Sequence, residues 1–356
     1  MGCVPSAERK RSVRPTEDDF ILTNSPHAVI LESPQYHLMP QAMPMRFSLF
    51  QTIQPQQHTL VDPVDLVHDD LKPIADEFLL DADDFIFIRQ LSTAPSRIES
   101  SLAQYNCTAV VVRRLASCLT NDDSDLVKEI IAMSRLRHIN IVSFIGFYFT
   151  CSFRLHCVTE YVEGSSLRQL LDRPKLDLSW DDHKLSMAMY IAQAMAYLHS
   201  FKPPTIHRDI KADTVLVTPQ LLAKLSGFGA ARVRTFDSTM TSTGVGTLKW
   251  SAPELLSGDD YDEKVDVYSF GVVLTELDTH ETPLASHTVT DTTTLMHALI
   301  TGKLRPQVAP TCPPRIARLV HACLQHDTAK RPTSDEVVAI LADISIAKSE
   351  QSPAVT

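Results

Sequence analysis

The chain changes texture at Gly164, and that change constrains its fold more than any single residue does. Before it, "FIFIRQL" (85–91), "TAVVVRRL" (108–115), "IVSFIGFYF" (141–149) and "RLHCVTEYV" (154–162) are β-branched and aromatic runs of strand length. "DSDLVKEIIAMSRL" (123–136) interrupts them with apolar residues at helical spacing behind an acidic start. After Gly164 the periodicity is helical: 165–172, 181–200, 262–278, 291–301, 313–326 and 334–347. Strands gathered first and helices second predict a two-lobed α+β architecture of the kind enzymes use.

Composition narrows the class. With 356 residues, 44% hydrophobic and 21% charged, the chain holds one large domain of two lobes plus additional segments. A net charge of −10 argues against wholesale nucleic-acid binding. Seven cysteines without a C-x-x-C pair suggest reduced thiols in a cytosolic setting, and the fourteen histidines do not join them at zinc-ligand spacing. The longest apolar run, Ile139 to Cys151, is too short and mixed to span a bilayer. Residues 4 to about 75 are rich in Pro and Gln and keep neither helical nor strand periodicity, although a short amphipathic piece near Ile74–Leu80 could pack on a domain edge. The resulting division is an anchor at 1–14, a disordered spacer at 15–78, a domain at 79–348 with lobes 79–162 and 163–348, and a tail at 349–356.

The anchor is read from "MGCVPS", which fits the N-myristoylation pattern with Gly2 as acceptor and Ser6 at the hydroxyl position. Cys3 is placed for palmitoylation, and Arg9, Lys10, Arg11 and Arg14 follow. One myristoyl chain binds membranes with K of only about 10⁴ M⁻¹, whereas a second chain or a basic cluster makes anchoring stable. The expectation is a domain hung from the cytoplasmic face of a membrane.

Several strings then resemble one family. "IHRDIKADTVLV" (206–217) resembles the catalytic loop of eukaryotic protein kinases. "GTLKWSAPE" (246–254) resembles the end of their activation segment, and "KVDVYSFGVVLTEL" (264–277) the helix behind it. "LRHINIVSFIGF" (136–147) and the late "RPT" (331–333) also match, in family order across 83–345. The wording is most similar to the tyrosine-kinase-like group, with Lys211 and Thr247 as Ser/Thr-type choices. The resemblance implies a bilobal kinase fold with a five-stranded first lobe. It casts His207, Arg208, Phe228, Glu254, Asp266 and Arg331 as scaffold residues, with Glu254 paired to Arg331.

Phosphoryl transfer is positioning plus electrostatic stabilisation, so its parts can be checked singly. In place of a glycine-rich phosphate loop stands "LSTAPSRIESSLAQY" (91–105): Ser92 and Ala94 take the first two glycine slots, and Pro95 removes an amide donor. There is no glycine between Gly2 and Gly146. Arg113 stands where the family has the strand-3 lysine, with Glu129 as its expected ion-pair partner; a guanidinium does not replace an ammonium at phosphates. Thr159 falls at the gatekeeper position, or simply packs within a strand, and Glu160 opens the hinge. Both side-chain ligands for magnesium are replaced: Thr214 for asparagine and Gly227 for the D-F-G aspartate. Asp209, the proton acceptor by resemblance, is retained, and Asp213 is an outside candidate for a shifted metal ligand.

The scaffold positions survive while those touching metal and phosphate do not. The reading is a pseudokinase that serves as a signalling scaffold or allosteric partner, its partners an active kinase or receptor at the membrane. No cofactor is expected. Two alternatives stay open: a Ser/Thr kinase handling metal through Asp213, and a switch that holds ATP without magnesium. The Ser/Thr-rich stretch 232–246 is either a phosphorylation segment facing Arg208 or a polar loop.

Overall fold

Residues 68–351 are described in a computed structural model, apart from 93–96, 117–122, 175, 234–244, 286 and 288–290. Strands β1 (Phe85–Gln90), β2 (Ile98–Tyr105), β3 (Thr108–Leu115), β4 (Phe144–Phe149) and β5 (Leu155–Glu160) form an antiparallel sheet in the order β1-β2-β3-β5-β4. Two-residue alternation sorts β3. Val110 and Val112 turn to the face where Ala103, Tyr148 and Val158 are buried, so Arg113 falls on the opposite face. Strand β2 was not among the strands read from sequence, because "IESSLAQY" carries two serines and a glutamate. It is a strand because β1 and β3 supply ladder partners on both sides.

Two helices cover the second face of this sheet. The short helix α1 (Lys72–Phe78) and the preceding turn bury Leu71, Ala75 and Phe78. These join Leu126, Val127 and Ile130 of α2 (Ser124–Ser134) in one apolar cluster. The ring of Phe78 lies 5.1 Å from that of Phe144. From there the chain crosses the sheet, with Leu80 N–H donating to Phe147 O at 2.8 Å. Gly146 is required here by close approach: a Cβ on it would lie 2.5 Å from Phe78 O. The sequence reading ended the spacer at residue 78. The structure instead docks 69–78 onto the lobe, with Leu71, Ala75 and Phe78 buried in the same apolar cluster as α2.

The second lobe is helical. Ser166 caps α3 (Leu167–Leu171) in a capping box with Gln169. A π-helical turn, Trp180–Lys184, leads into α4 (Leu185–His199). Then follow α5 (Pro253–Ser257), α6 (Lys264–Thr279), α7 (Thr292–Ile300), α8 (Pro314–Cys323) and α9 (Ser334–Gln351). Every residue of α6 from Val265 to Leu277 is buried, which makes it the lobe's central post. Gly271 lets α8 come close: a Cβ there would meet the Cβ of Cys323 at 2.7 Å. Short strands β6 (Ser165–Ser166), β8 (Val215–Val217) and β9 (Ala223–Leu225) form one small sheet, and β7 (Thr205–Ile206) pairs with β10 (Arg232–Val233). The stretch 207–214 is thereby held between β7 and β8, and 226–231 between β9 and β10. Val142 N–H donates to Leu225 O and Leu225 N–H to Asn140 O, tying the first lobe to this frame. Among the described residues no helix is long and apolar enough to cross a membrane.

Candidate active site

A buried carboxylate fixes the loop from His207 onward. Asp266 of α6 accepts His207 N–H at 2.7 Å and Arg208 N–H at 2.8 Å, one on each oxygen, and lies 3.1 Å from His199 Nε2. Burial raises its pKa, but the hydrogen bonds and charges of His199 and His207 outweigh that and hold it below the ordinary carboxylate value. Arg208 sits at φ +63°, a left-handed geometry unusual for arginine, and its own N–H and that of His207 before it are both held by Asp266. Its side chain donates to Ala230 O and Tyr261 Oη, each at 2.8 Å.

His207 is fully buried, and its ring meets Phe228 edge-on at 4.7 Å. Burial pushes its pKa down, which favours the neutral ring. Nδ1 then accepts Asp209 N–H at 3.2 Å, which leaves Nε2 to donate to Ser226 O at 3.0 Å. One side chain thus ties the catalytic-loop backbone to the segment that carries Gly227.

Around Asp209 several polar side chains assemble. Lys211 Nζ donates to Asp209 Oδ1 at 2.8 Å and to Thr247 Oγ1 at 3.3 Å. Thr214 is turned into the loop: its hydroxyl donates to Asp209 O at 2.7 Å, lies 3.1 Å from Lys211 O, and accepts Lys211 N–H at 3.2 Å. Ser226 N–H and Oγ both bond Thr214 O at 2.8 Å. Gly227 follows at φ +84°, and a Cβ there would lie 2.8 Å from Thr214 Cγ2. Asp213 is exposed, between the buried Ala212 and Thr214.

On the first-lobe side Arg113 and Glu129 form an ion pair between β3 and α2, with Glu129 wholly buried. Burial acts against the Arg113 charge, but Glu129 outweighs it and raises the pKa. Ser92 stays with β2, its Oγ accepting Ser100 N–H at 2.8 Å. Thr159 is buried in β5 between Val111 and Phe144. Glu160 turns its carboxylate to Lys224 Nζ at 2.6 Å and Ser143 N–H at 2.7 Å. In the second lobe Arg331 makes a fork to Glu254 at 2.5 and 2.9 Å. Ala94, the acceptors Gly2 and Cys3, and residues 234–244 of the Ser/Thr-rich segment lie outside the described residues.

The sequence reading missed Glu276. Buried in α6, it accepts Trp250 Nε1–H at 2.7 Å and Ala212 N–H at 3.1 Å, with Arg168 3.2 Å away. Burial pushes its pKa up to about 7 against the pull of Trp250, Ala212 and Arg168. The available signal was an acid inside the mostly apolar run "GVVLTEL". Lys224, which joins β9 to the hinge through Glu160, carried no signal in sequence.

With this geometry in view, the comparisons with known proteins give the family. Residues 96–341 match the family model described as protein tyrosine and serine/threonine kinase. The chain belongs to that family. It is 38% identical over 237 residues to "Probable serine/threonine-protein kinase drkC" of Dictyostelium discoideum, covering 64% of this chain and 31% of the relative. It is 33% identical over 219 residues to the serine/threonine-protein kinase CTR1 of Arabidopsis thaliana, covering 61% and 26% respectively. The chain therefore spans less than a third of the length of these relatives.

Proposed function

We propose that this kinase domain is a pseudokinase of the tyrosine-kinase-like group, working as a scaffold or allosteric partner in signalling. The observation that carries the reading is the Thr214–Gly227 contact. Magnesium binding in this family uses side-chain oxygens from those two positions. Here Gly227 has no side chain, and the Thr214 hydroxyl is committed to Asp209 O and the backbone of Lys211. The residues present do not fit the metal ion. The Arg113–Glu129 pair supports the same reading: it joins β3 to α2 as a structural link, with a planar guanidinium in place of a compact ammonium. The wording of "HRDIK" and "DVYSFG" supports the group assignment.

A second reading has its own support. Asp209, Lys211 and Thr247 are held together as a hydroxyl-acceptor site would need, which favours a Ser/Thr kinase with a displaced metal ligand, Asp213 being the exposed carboxylate nearby. Thermal-shift titration of the full chain with ATP, with and without magnesium, separates the readings. No shift, together with no labelling of protein substrates, is expected for the scaffold. A magnesium-dependent shift with labelling lost in Asp213→Ala overturns it, and a magnesium-independent shift assigns a nucleotide-held switch.

We further propose attachment to a membrane through acyl groups on Gly2 and Cys3, the adjacent basic residues adding attraction to anionic lipid. A C-terminal fluorescent fusion of Gly2→Ala is expected to leave the membrane. Retention there would place the anchor elsewhere.

A further inference from the structure

Helix α2 has a second face. Its buried face, with Leu126, Val127, Ile130 and Met133, packs into the main apolar cluster. Lys128, Ile131, Ala132 and Arg135 follow the spacing i, i+3, i+4, i+7 and form a separate stripe. All four line a cavity of about 240 Å³. The second lobe completes the lining with Phe201 and Lys202, which follow α4, and Ala231, which precedes β10. Lys128, Arg135 and Lys202 are exposed. Among the described residues no carboxylate lines the cavity, and none of these three side chains has an ion pair or hydrogen bond. The chain carries 43 acidic residues against 33 basic ones, so these cations are unmatched where acids are in excess.

The spacing narrows the occupant. Lys128 and Arg135 lie seven residues apart, about 10 Å along the helix axis, with Ile131 and Ala132 between them. One small anion cannot reach both ends. The volume falls below the roughly 300–1,000 Å³ of sites for drug-sized molecules. It suits one large side chain, as the pockets that receive interface anchors do. In an extended segment residues two apart project to the same side. The order acid–x–apolar–x–acid therefore presents an apolar anchor with a carboxylate on either side, within reach of flexible lysine and arginine side chains.

We propose that this cavity binds an acidic segment of a partner protein. A large apolar side chain of the partner packs on Ile131, Ala132 and Phe201, and its carboxylates meet Lys128, Arg135 and Lys202. Such a segment touches both lobes at once and couples the position of α2 to the second lobe. The inference does not rest on the metal, nucleotide or membrane readings.

Fluorescence anisotropy of the full chain with an array of labelled peptides tests it. Each peptide carries glutamate two residues before and two residues after a central Phe, Leu, Trp or Met. Saturable binding of at least one is expected, weakened by salt and lost when both glutamates become glutamine. Lys128→Glu, Arg135→Glu and Lys202→Glu should each weaken it roughly three- to tenfold. These three side chains are exposed, so melting temperatures should stay within a degree or two. Ala132→Phe fills the cavity without altering charge and should also weaken binding. Bound peptide should slow hydrogen exchange in α2 and in 201–205 together. Absence of saturable binding across the array overturns the proposal, as does equal binding of the glutamine peptides. Binding indifferent to Ala132→Phe and to the three charge reversals overturns it as well. Decanoate binding that responds to these variants, without peptide binding, assigns the cavity to a small apolar acid instead.

Discussion

Thr214 and Gly227 occupy one space. The Thr214 methyl group lies where a side chain at position 227 would begin, 2.8 Å from an ideal Cβ, with Thr214 Cβ itself 3.2 Å away. Gly227 also holds φ +84° and ψ +44°, a conformation that any side chain strains. Positions 214 and 227 are therefore coupled in packing.

That coupling is measurable. Gly227→Ala is expected to destabilise the chain by about 2–4 kcal/mol, from left-handed backbone strain plus overpacking. Thr214→Ser removes the methyl but keeps the hydroxyl that bonds Asp209 O. Combined with Gly227→Ala it should recover about 1 kcal/mol or more relative to additivity. Urea unfolding of the two single variants and the double variant gives the cycle; strict additivity would show that the contact does not constrain position 227. For the same reason Gly227→Asp alone is expected to cost stability, and Thr214→Ser to offset part of that cost.

The Glu254–Arg331 fork should be strongly asymmetric to mutation. The Arg331 side chain is fully buried, and it also donates to Gln325 O at 2.8 Å and Lys264 O at 3.1 Å while lying over the Tyr268 ring. Glu254→Gln leaves that charge unpaired and is expected to destabilise by about 3–5 kcal/mol. Arg331→Lys should not rescue, because an ammonium cannot make the planar fork. Denaturant midpoints check both, and a change under about 1 kcal/mol in Glu254→Gln would contradict the arrangement.

Glu276 predicts a pH dependence of known sign. Its folded-state pKa is raised to about 7 from an ordinary 4.5. The folded protein therefore binds more protons than the unfolded chain between those values. The stabilising contribution is complete below about 4.5 and is lost as pH rises through about 7. Glu276→Gln keeps an acceptor for Trp250 Nε1–H and removes the titration. Unfolding free energy of the parent should fall relative to this variant by on the order of a few kcal/mol across that window. A parallel pair of pH curves would mean the carboxyl is ionised throughout.

The docking of 69–78 predicts where the domain begins. Leu71→Ala should destabilise by about 2–5 kcal/mol, as for any wholly buried leucine. Removing residues 1–78 exposes the Leu126, Val127 and Ile130 face of α2 and should lower the melting temperature well below that of the chain truncated at 1–67. Equal stability of the two truncations would return 69–78 to the spacer.

Much of this was legible in the chain. Elements with a clear period, such as 123–136 and "TAVVVRRL", were readable because a single covered face imprints spacing of 3.6 or 2 on apolar residues. The motif positions of the site followed from counting along "HRDIKADT" and "SGFGA". Strand β2 was not legible, since its partners and not its own residues make it a strand. Helix α1 was seen only as an amphipathic fragment at the end of a Pro- and Gln-containing stretch.

The sequence by itself determined which chemical groups are available: an aspartate at 209, no side chain at 227, an arginine at 113, an acid in the last turn of the central helix. Tertiary structure alone decided what those groups meet. Nothing local says that the methyl of Thr214 abuts position 227, that Glu276 gathers Trp250, Ala212 and Arg168, or that Leu71 closes over α2. Each of these contacts joins segments separated along the chain, and its energy comes from desolvation and close packing. Those properties belong to the pair once folded, and neither segment carries them alone.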